Sequence, residues 1–425
     1  MQKYTLDNGI TVFSQKESHV NSINIGVFIQ SGSAFENEEN NGVSHFIEHL
    51  IFKTGNNQKN YSEILSELGV KYGGFTAKEY TCYYFRFTSF NFKTIIDTLI
   101  EIFRSFKYIN EEQFSIEKNI IRSELQMYRN NFKEINQSRS IELSFPNQSL
   151  ALEIVGTDKS LDNLSLEYLI EYYNSVYLPE NIILSVCGNL NQAEEEYIMD
   201  KFNKLKSHHN GNNQMDINYP NFTYVGGYDL IQRNTEHLVI DINYHMKNLS
   251  EKEYYSLYLL NSILGYGTRI SRLQKYIREY LGISYNVFSY PTIYTNNSLL
   301  SIHAEINSHS AIKFFNVIHT IINNLKNDYV NEDEMVHAIA NYHTSLILGL
   351  ESPMDKMFYY GKNAVLNRNI YTIEESIGIM KSVSVKDIKE IALSFFNSTP
   401  SLAISGNCSS DEMKEYYKYL VPKSS

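Results

Sequence analysis

Features that direct a chain to a membrane or to an oxidising compartment are scarce in this sequence. It has 3 cysteines in 425 residues, Cys82, Cys187 and Cys408, and none of them lies in a C-x-x-C motif. Few, widely separated cysteines are typical of packed thiols in a reducing compartment rather than of a disulfide framework. The first residues show no charged and then apolar leader, and no stretch approaches the roughly 20 apolar residues of a membrane span. We therefore expect a cytoplasmic protein with no membrane partner.

Positively charged residues are also fewer than negatively charged ones. The chain has 37 Lys and Arg against 48 Asp and Glu, which gives a formal net charge of −11. Because no long basic run is present either, this balance argues against nucleic acid as a partner. The hydrophobic content of 43% and the charged content of 20% are those of a globular protein. The length is sufficient for two domains.

What the sequence does contain is a short helical segment with reactive groups on one face. His45 and His49 are four residues apart and Glu48 is three beyond His45, so a helix places all three on one side. Two imidazoles at this spacing can bind one metal ion, and the carboxylate beside them can accept a proton from water. The order H-x-x-E-H is the reverse of the zinc-protease motif H-E-x-x-H. Because so short a motif also arises by chance, a metal site and a polar helix face are at this point equal alternatives.

A second segment offers the third ligand that a catalytic zinc site needs. Residues 114–132 show helical periodicity, and Glu117 and Glu124 fall on the stripe that also carries Ile120 and Ile121. Carboxylates are rarely buried without a partner, so this stripe is either half exposed or faces a cation. Glu124 as the third ligand, with Glu117 orienting the ligands, would complete a site for one zinc ion per chain.

His45, Glu48 and His49, followed by Glu117 and Glu124, resemble the inverzincin peptidases of the pitrilysin, insulysin and mitochondrial-processing-peptidase family. The separation of 75 positions from His49 to Glu124, and the seven-residue step between the two glutamates, are similar to the family's spacing. The resemblance is to small, half-length members of bacterial type. It implies a zinc-dependent endopeptidase in which Glu48 is the base and Glu117 supports the ligands His45, His49 and Glu124. It also implies that two chains pair, as a homodimer or with a related subunit, to enclose a chamber in which unfolded peptides are cleaved.

The second half of the sequence repeats the pattern of the first. The run 182–189 is echoed by 402–407, each after a helix that opens with a serine, and the strand-like run 23–29 has a counterpart at 238–244. An internal duplication explains this repetition. It predicts an α+β fold of two similar domains, each a mainly antiparallel sheet with helices packed on it.

The duplication also suggests domain boundaries. We assign residues 1–207 to a catalytic zinc-binding domain, 208–219 to a polar linker, and 220–425 to a homologous domain that holds substrate and has no metal site. Near the N-terminus, the alternating runs 4–14 and 22–32 are expected to pair as strands.

The resemblance assigns two residues of the second half to the substrate. Arg278 and Tyr285, seven residues apart, match the family's arginine and tyrosine that hold substrate. A guanidinium or a phenol aimed at the oxyanion formed from a peptide carbonyl lowers the barrier to cleavage. On pattern alone, an exposed arginine and a packed tyrosine would be the commoner explanation.

Residues 73–76 align with the family's substrate-binding strand. Gly73 and Gly74 stand where the family usually has Asn-Ala, whereas Phe75 and Thr76 fit the family pattern. Main-chain pairing of an extended peptide to this strand needs no side chain and would survive. A contact from an asparagine side chain would be lost, which affects specificity or efficiency and not zinc binding.

Three other interpretations stay open. The chain could be the catalytic subunit of a heterodimer that processes a specific precursor or leader peptide. It could be a structural subunit without activity, against which the intact set of five metal-site residues argues. It could also be a peptide-binding module that traps its ligand without cutting it.

Overall fold

The chain forms two compact units in a computed structural model that describes residues 1–55, 59–206, 219–267 and 269–422. Neither unit is a continuous half of the sequence. The first, unit 1, consists of Met1–Met127, Leu152–Pro220 and Gly349–Ile370, and the second, unit 2, consists of Tyr128–Ala151, Asn221–Leu348 and Tyr371–Ser425.

These units differ from the continuous domains 1–207 and 220–425 proposed from the sequence. Residues 128–151 belong to unit 2 and residues 349–370 belong to unit 1, so each unit includes a segment from the other half of the sequence. The proposed linker 208–219 lies outside the described residues apart from its last position. Two domains that are each continuous in sequence cannot represent this exchange of segments. The exchange follows from packing between segments that are distant in sequence.

Unit 1 is built on a six-stranded sheet with the strand order β1-β2-β6-β3-β5-β4. All neighbours are antiparallel except β2 and β6, which are parallel. The strands are β1 (Gln2–Thr5), β2 (Thr11–Lys16), β3 (Ile23–Ile29), β4 (Lys71–Thr76), β5 (Thr81–Phe87) and β6 (Ile182–Gly188). The helices are α1 (Val43–Leu50), α2 (Tyr61–Glu67), α3 (Phe92–Arg104), α4 (Glu111–Asn130, which ends in unit 2), α6 (Asp158–Asn163), α7 (Leu166–Val176), α8 (Gln192–Asn203) and α12 (Pro353–Val365).

Both faces of the unit 1 sheet are covered. Apolar side chains of β3 alternate, so that Ile25 and Val27 join the core with α1, α3 and α7, whereas Phe28 points to the opposite face. There α12 packs on β3 and β6. A Cβ atom at Gly26 would lie 2.2 Å from the Met357 sulfur, so the absence of a side chain at Gly26 lets α12 approach the sheet closely.

Unit 2 repeats this arrangement with five strands in the order β7-β11-β8-β10-β9. That order corresponds to β2-β6-β3-β5-β4 of unit 1, including the single parallel pair, here β7 and β11. The predicted fold of two similar, mainly antiparallel α+β domains is therefore confirmed. The strands are β7 (Gly227–Gln232), β8 (His237–Lys247), β9 (Ser284–Ile293), β10 (Asn297–Asn307) and β11 (Ser401–Gly406). The helices are α5 (Phe132–Ser144), α9 (Glu251–Leu264), a π-helix (Gln274–Tyr280), α10 (Ala311–Asn327), α11 (Glu332–Gly349, which ends in unit 1), α13 (Ile373–Lys381), α14 (Val385–Phe396) and α15 (Ser410–Leu420).

The predicted pairing of residues 4–14 with residues 22–32 is wrong. Residues 4–14 include the end of β1 and most of β2, which pair with each other, and β6 lies between β2 and β3. A local sequence pattern cannot show that β6, which is more than 150 residues away from β3 in sequence, lies between β2 and β3. Among the described residues, none of the helices has the length and apolar content that crossing a membrane requires.

Candidate metal centre

The helix that carries the H-x-x-E-H segment, α1, is held at its N-terminus by a buried carboxylate. Glu36 accepts hydrogen bonds from the Gly42 N–H at 2.7 Å and the Ser44 N–H at 2.9 Å. The first N–H groups of a helix have no partner within it and form the positive end of its dipole, so a carboxylate there is stabilising. Phe46 and Leu50 on the opposite side are fully buried in the core. The helix is thus fixed both at its end and along its apolar face.

Three ligand atoms converge between α1 and α4. The Glu124 Oε2 atom lies 3.7 Å from His45 Nε2 and 3.5 Å from His49 Nε2. All three ligand groups lie within 4.8 Å of one another. Two imidazoles and one carboxylate that leave a fourth position open are the donor set of hydrolytic zinc sites. The cluster is therefore compatible with a zinc site, as the sequence predicted.

Glu117 orients one of these imidazoles. Its Oε2 atom lies 3.2 Å from His49 Nδ1, and its Oε1 atom lies 2.8 Å from Lys53 Nζ. A proton on Nδ1 that is donated to Glu117 leaves the Nε2 lone pair free for a metal. Lys53 was missed by the sequence analysis, although a cation four residues after His49, one helical turn on, was a signal that could have found it.

The electrostatics of this cluster favour a positive charge. Burial lowers the pKa of His45 to about 4, so this ring is neutral, as a ligand must be. Burial also acts to lower the pKa of His49, but its hydrogen bonds to Glu117 and Glu124 raise the pKa to about 9. The hydrogen bond from His49 holds the pKa of Glu124 below its usual range. Hydrogen bonds from His49 and Lys53 outweigh burial and do the same for Glu117.

Glu48 has a different environment from the other two acids. Its Oε2 atom lies 3.9 Å from His45 Nε2, and burial raises the pKa of its carboxyl group to about 7. On the adjacent strand β4, a Cβ atom at Gly74 would lie 3.0 Å from both Cγ and Oε1 of Glu48. A glycine at position 74 therefore leaves room for the Glu48 carboxylate beside the strand.

The proposed substrate-binding residues Gly73, Gly74, Phe75 and Thr76 all lie on β4, which is an edge strand of the unit 1 sheet. A Cβ atom at Gly73 would lie 2.5 Å from the Tyr84 hydroxyl, so this neighbouring tyrosine occupies the space that a side chain at 73 would need. A different neighbour thus accounts for the absence of a side chain at each glycine: Tyr84 at Gly73 on one face of the strand, and Glu48 at Gly74 on the other.

Arg278 and Tyr285 lie in unit 2, whereas the other catalytic and metal-binding candidates lie in unit 1. Arg278 is in the π-helix and Tyr285 is on the edge strand β9. The two side chains are in contact, because the Arg278 guanidinium carbon lies 4.8 Å from the centre of the Tyr285 ring. The Tyr285 side chain is nevertheless 85% exposed. Stacking on the arginine orients the tyrosine while its surface stays accessible.

Comparison with known proteins agrees with this site. A family model described as Insulinase (Peptidase family M16) matches residues 11–158, which include α1 and α4. A second one, described as Peptidase M16 inactive domain, matches residues 163–342. In unit 2, the helix that follows β8 is α9, which corresponds in position to α1 after β3 in unit 1. Its sequence, EKEYYSLYLLNSIL, has no histidine.

The chain is also similar to individual proteins over nearly its full length. The protein named uncharacterized zinc protease YmxG of Bacillus subtilis is 29% identical over 413 residues, which cover 96% of this chain and 99% of that protein. A protease from Helicobacter pylori has a similar structure, with a TM-score of 0.85 and 19% identity over 95% of this chain and 99% of that one.

A chain of complex III2 from Candida albicans is similar as well, with a TM-score of 0.83 and 17% identity, and the match covers 99% of this chain and 100% of that one. At such low identity the two structural likenesses show the fold alone. The matches to both halves and to a named zinc protease, together with the metal-compatible cluster, show that the chain belongs to peptidase family M16.

Proposed function

We propose that this chain is a zinc-dependent endopeptidase that cleaves unfolded peptides, and that two chains enclose the chamber in which it does so. The observation that carries the proposal is the convergence of His45 Nε2, His49 Nε2 and Glu124 Oε2 on one point. The names of full-length relatives such as the zinc protease of Bacillus subtilis support the same activity.

In the proposed reaction, His45, His49 and Glu124 would hold a zinc ion, which would supply Lewis-acid chemistry toward the peptide carbonyl and the attacking water. Glu48 accepts a proton from the attacking water and then donates it to the leaving nitrogen. Burial raises the pKa of the Glu48 carboxyl above its usual range, and a general acid–base group works best when its pKa lies near the working pH. Glu117 keeps the His49 ring in the orientation that presents Nε2.

We further propose that the substrate pairs with β4 as an additional strand. The outer edge of β4 pairs with no other strand in the part of the chain that the structure describes, and an extended peptide can use its main-chain groups. The absence of a side chain at Gly74 supports this proposal, because it lets the Glu48 carboxylate lie directly beside β4, the strand with which the peptide would pair. Arg278 and Tyr285 are proposed to hold the substrate and to stabilise the oxyanion.

The test compares zinc content and cleavage of a pool of unfolded peptides by the wild type, Glu48→Gln and a control, Glu111→Gln. We expect about one zinc per chain in all three proteins, as a three-ligand catalytic site predicts. Cleavage should fall by about 10²- to 10⁴-fold in Glu48→Gln alone, the usual effect of removing a general acid–base group. Cleavage by Glu48→Gln at the wild-type rate would overturn the role of Glu48, and protein without zinc would overturn the metal centre.

The alternative that the chain is the catalytic subunit of a heterodimer is tested by the mass of the active species. A single species of twice the chain mass, with full activity from the pure protein, would exclude a required partner. Zinc binding without cleavage by the pure protein would favour one. Peptide binding without turnover that Glu48→Gln leaves unchanged would instead favour a binding or structural subunit.

A further inference from the structure

One face of the strand pair β4–β5 carries two cations directly opposite each other. Lys71 on β4 pairs in register with Arg86 on β5, and both side chains are exposed. Within the described residues, neither takes part in an ion pair or a side-chain hydrogen bond. Like charges directly opposite each other destabilise a sheet. In a chain with a net charge of −11 and acids in excess, a cation pair without an acid is conspicuous.

The need to protect an exposed edge explains only one of the two cations. A lysine on an edge strand prevents association with other sheets, which accounts for Lys71. Arg86 lies on the second strand, whose edge β4 already covers, so that protection is not needed there. Protection of the edge therefore leaves Arg86 unexplained.

A hydroxyl group lies next along this same face of the sheet, at the pair nearer to Gly74. The next pair in register on this face is Gly73 with Tyr84, and the Tyr84 hydroxyl lies directly over Gly73. Across the residues that the structure describes, this hydroxyl has no hydrogen-bond partner. Beyond it, the Tyr84 ring packs edge-on against Phe358 of α12, at 5.5 Å between centres, which holds the ring in place.

We propose that Lys71, Arg86 and Tyr84 form a subsite for an acidic side chain of the peptide that pairs with β4. Two cations and one hydroxyl donor are the groups that bind a carboxylate by charge-assisted hydrogen bonds. The inference rests on the proposed peptidase function and adds a preference to it: substrates with a glutamate or aspartate at this position.

The register of β4 places this subsite relative to the reacting bond. Gly74 faces Glu48, and side chains alternate along a strand, so Gly73 and Lys71 face the other side. Lys71 is three residues from Gly74, or about 10 Å at the usual rise of a strand. The acidic residue therefore lies between one and three residues from the bond that is cleaved.

The experiment measures peptide binding to zinc-loaded Glu48→Gln protein and cleavage by the wild type. The probes are fluorescent unfolded peptides that are identical except for a single Glu or Gln, placed at successive positions. We expect the Glu peptide to bind about three- to tenfold more tightly at one or two positions, the effect of two exposed ion pairs, and the preference to weaken in high salt. Wild type should show the same preference in kcat/KM.

Substitutions identify the residues responsible. Lys71→Gln/Arg86→Gln should remove the preference for Glu, and Tyr84→Phe should reduce it by less. The matched control is Lys3→Gln/Lys16→Gln, which removes two exposed cations near the other edge of the same sheet and should keep the preference. Equal loss in the control would attribute the preference to overall charge and overturn the subsite.

The two proposals fail in distinguishable ways. If the wild type cleaves peptides but treats Glu and Gln peptides alike at every position, the subsite is overturned and the peptidase stands. If the wild type neither binds nor cleaves any peptide of the set, the proposed function fails and the subsite fails with it.

Discussion

Each of the two units contains an imidazole paired with a carboxylate, half-buried in unit 1 and buried in unit 2, and the two pairs differ in what lies on the other side of the ring. In unit 1, His49 Nδ1 lies 3.2 Å from Glu117 Oε2. In unit 2, His303 Nδ1 lies 2.9 Å from Asp241 Oδ1. In both, burial acts to lower the pKa of the imidazole, but the surrounding carboxylates outweigh burial and the pKa is raised. Burial, charge and an acid partner therefore do not by themselves distinguish a metal ligand from a structural histidine.

The second ring nitrogen makes the distinction. Nε2 of His49 faces Glu124 and, across the cluster, Nε2 of His45, so three ligand atoms converge. Among the described residues, the one acid that Nε2 of His303 faces is Glu305, at 3.6 Å. That carboxylate is already bound by Lys133 Nζ at 2.7 Å and by Asn286 Nδ2 at 2.6 Å.

The acid partner in unit 2 also has a second hydrogen bond, because Asn136 Nδ2 of α5 donates to Asp241 Oδ2 at 2.6 Å. Both of these acids are thus hydrogen-bonded to other protein groups as well, and this network joins α5 to the sheet. In the metal centre, by contrast, Glu124 is bound only by the two imidazoles among the described residues. A site for an ion requires donors that the protein leaves uncommitted.

The largest expected difference between the two pairs is in zinc content. His49→Ala should lose both zinc and cleavage, because it removes one of three ligands, whereas His303→Ala should keep about one zinc per chain. The measurement is metal analysis of each folded variant, with circular dichroism to establish folding. Zinc retained in His49→Ala, or lost from well-folded His303→Ala, would reverse the assignment of the two histidines.

A smaller effect is expected from the two acids that bind the Nδ1 side. Glu117→Gln should weaken zinc binding by about 10- to 100-fold, the usual effect of removing a group that orients a ligand. Asp241→Asn should leave zinc affinity unchanged. Competition with a chelator gives both affinities. Equal zinc affinity in Glu117→Gln and the wild type would contradict an orienting role for Glu117.

The sequence predicted those parts of the metal centre that depend on helical spacing. His45, Glu48 and His49 share one face of α1, and Glu117 and Glu124 are two turns apart on α4, so periodicity alone relates the members of each group. The resemblance to a known family then indicated that the residues of α1 and those of α4 form one site. The similar strand patterns in the two halves of the sequence likewise indicated two similar sheets.

The parts that the sequence did not predict depend on long-range packing of polar residues. The buried side of α5 consists of Asn136, Ser140 and Ser144, which in a sequence resemble a solvent-exposed face. They are buried because α5 packs on polar residues of β8 and β11, 100 to nearly 270 residues away in sequence. The cap on α1 was missed for a related reason, because Glu36 lies seven residues before the helix, beyond the usual capping position.

The smallest expected difference is a dependence of unit 2 stability on pH. Burial lowers the pKa of His303, but Asp241 and then Glu305 outweigh burial and raise it, while Lys133 neutralises part of the charge on Glu305. A histidine whose pKa is raised in the folded state stabilises that state fully below the unfolded value of about 6.5, and the contribution is lost as pH rises through the folded pKa. The urea midpoint of the wild type should therefore exceed that of His303→Gln most at pH 5 to 6, roughly below the unfolded pKa. The difference in urea midpoint should shrink toward higher pH. A difference that grows with pH would contradict this prediction. It would mean that the folded state holds the His303 ring neutral and that Asn136 alone stabilises Asp241.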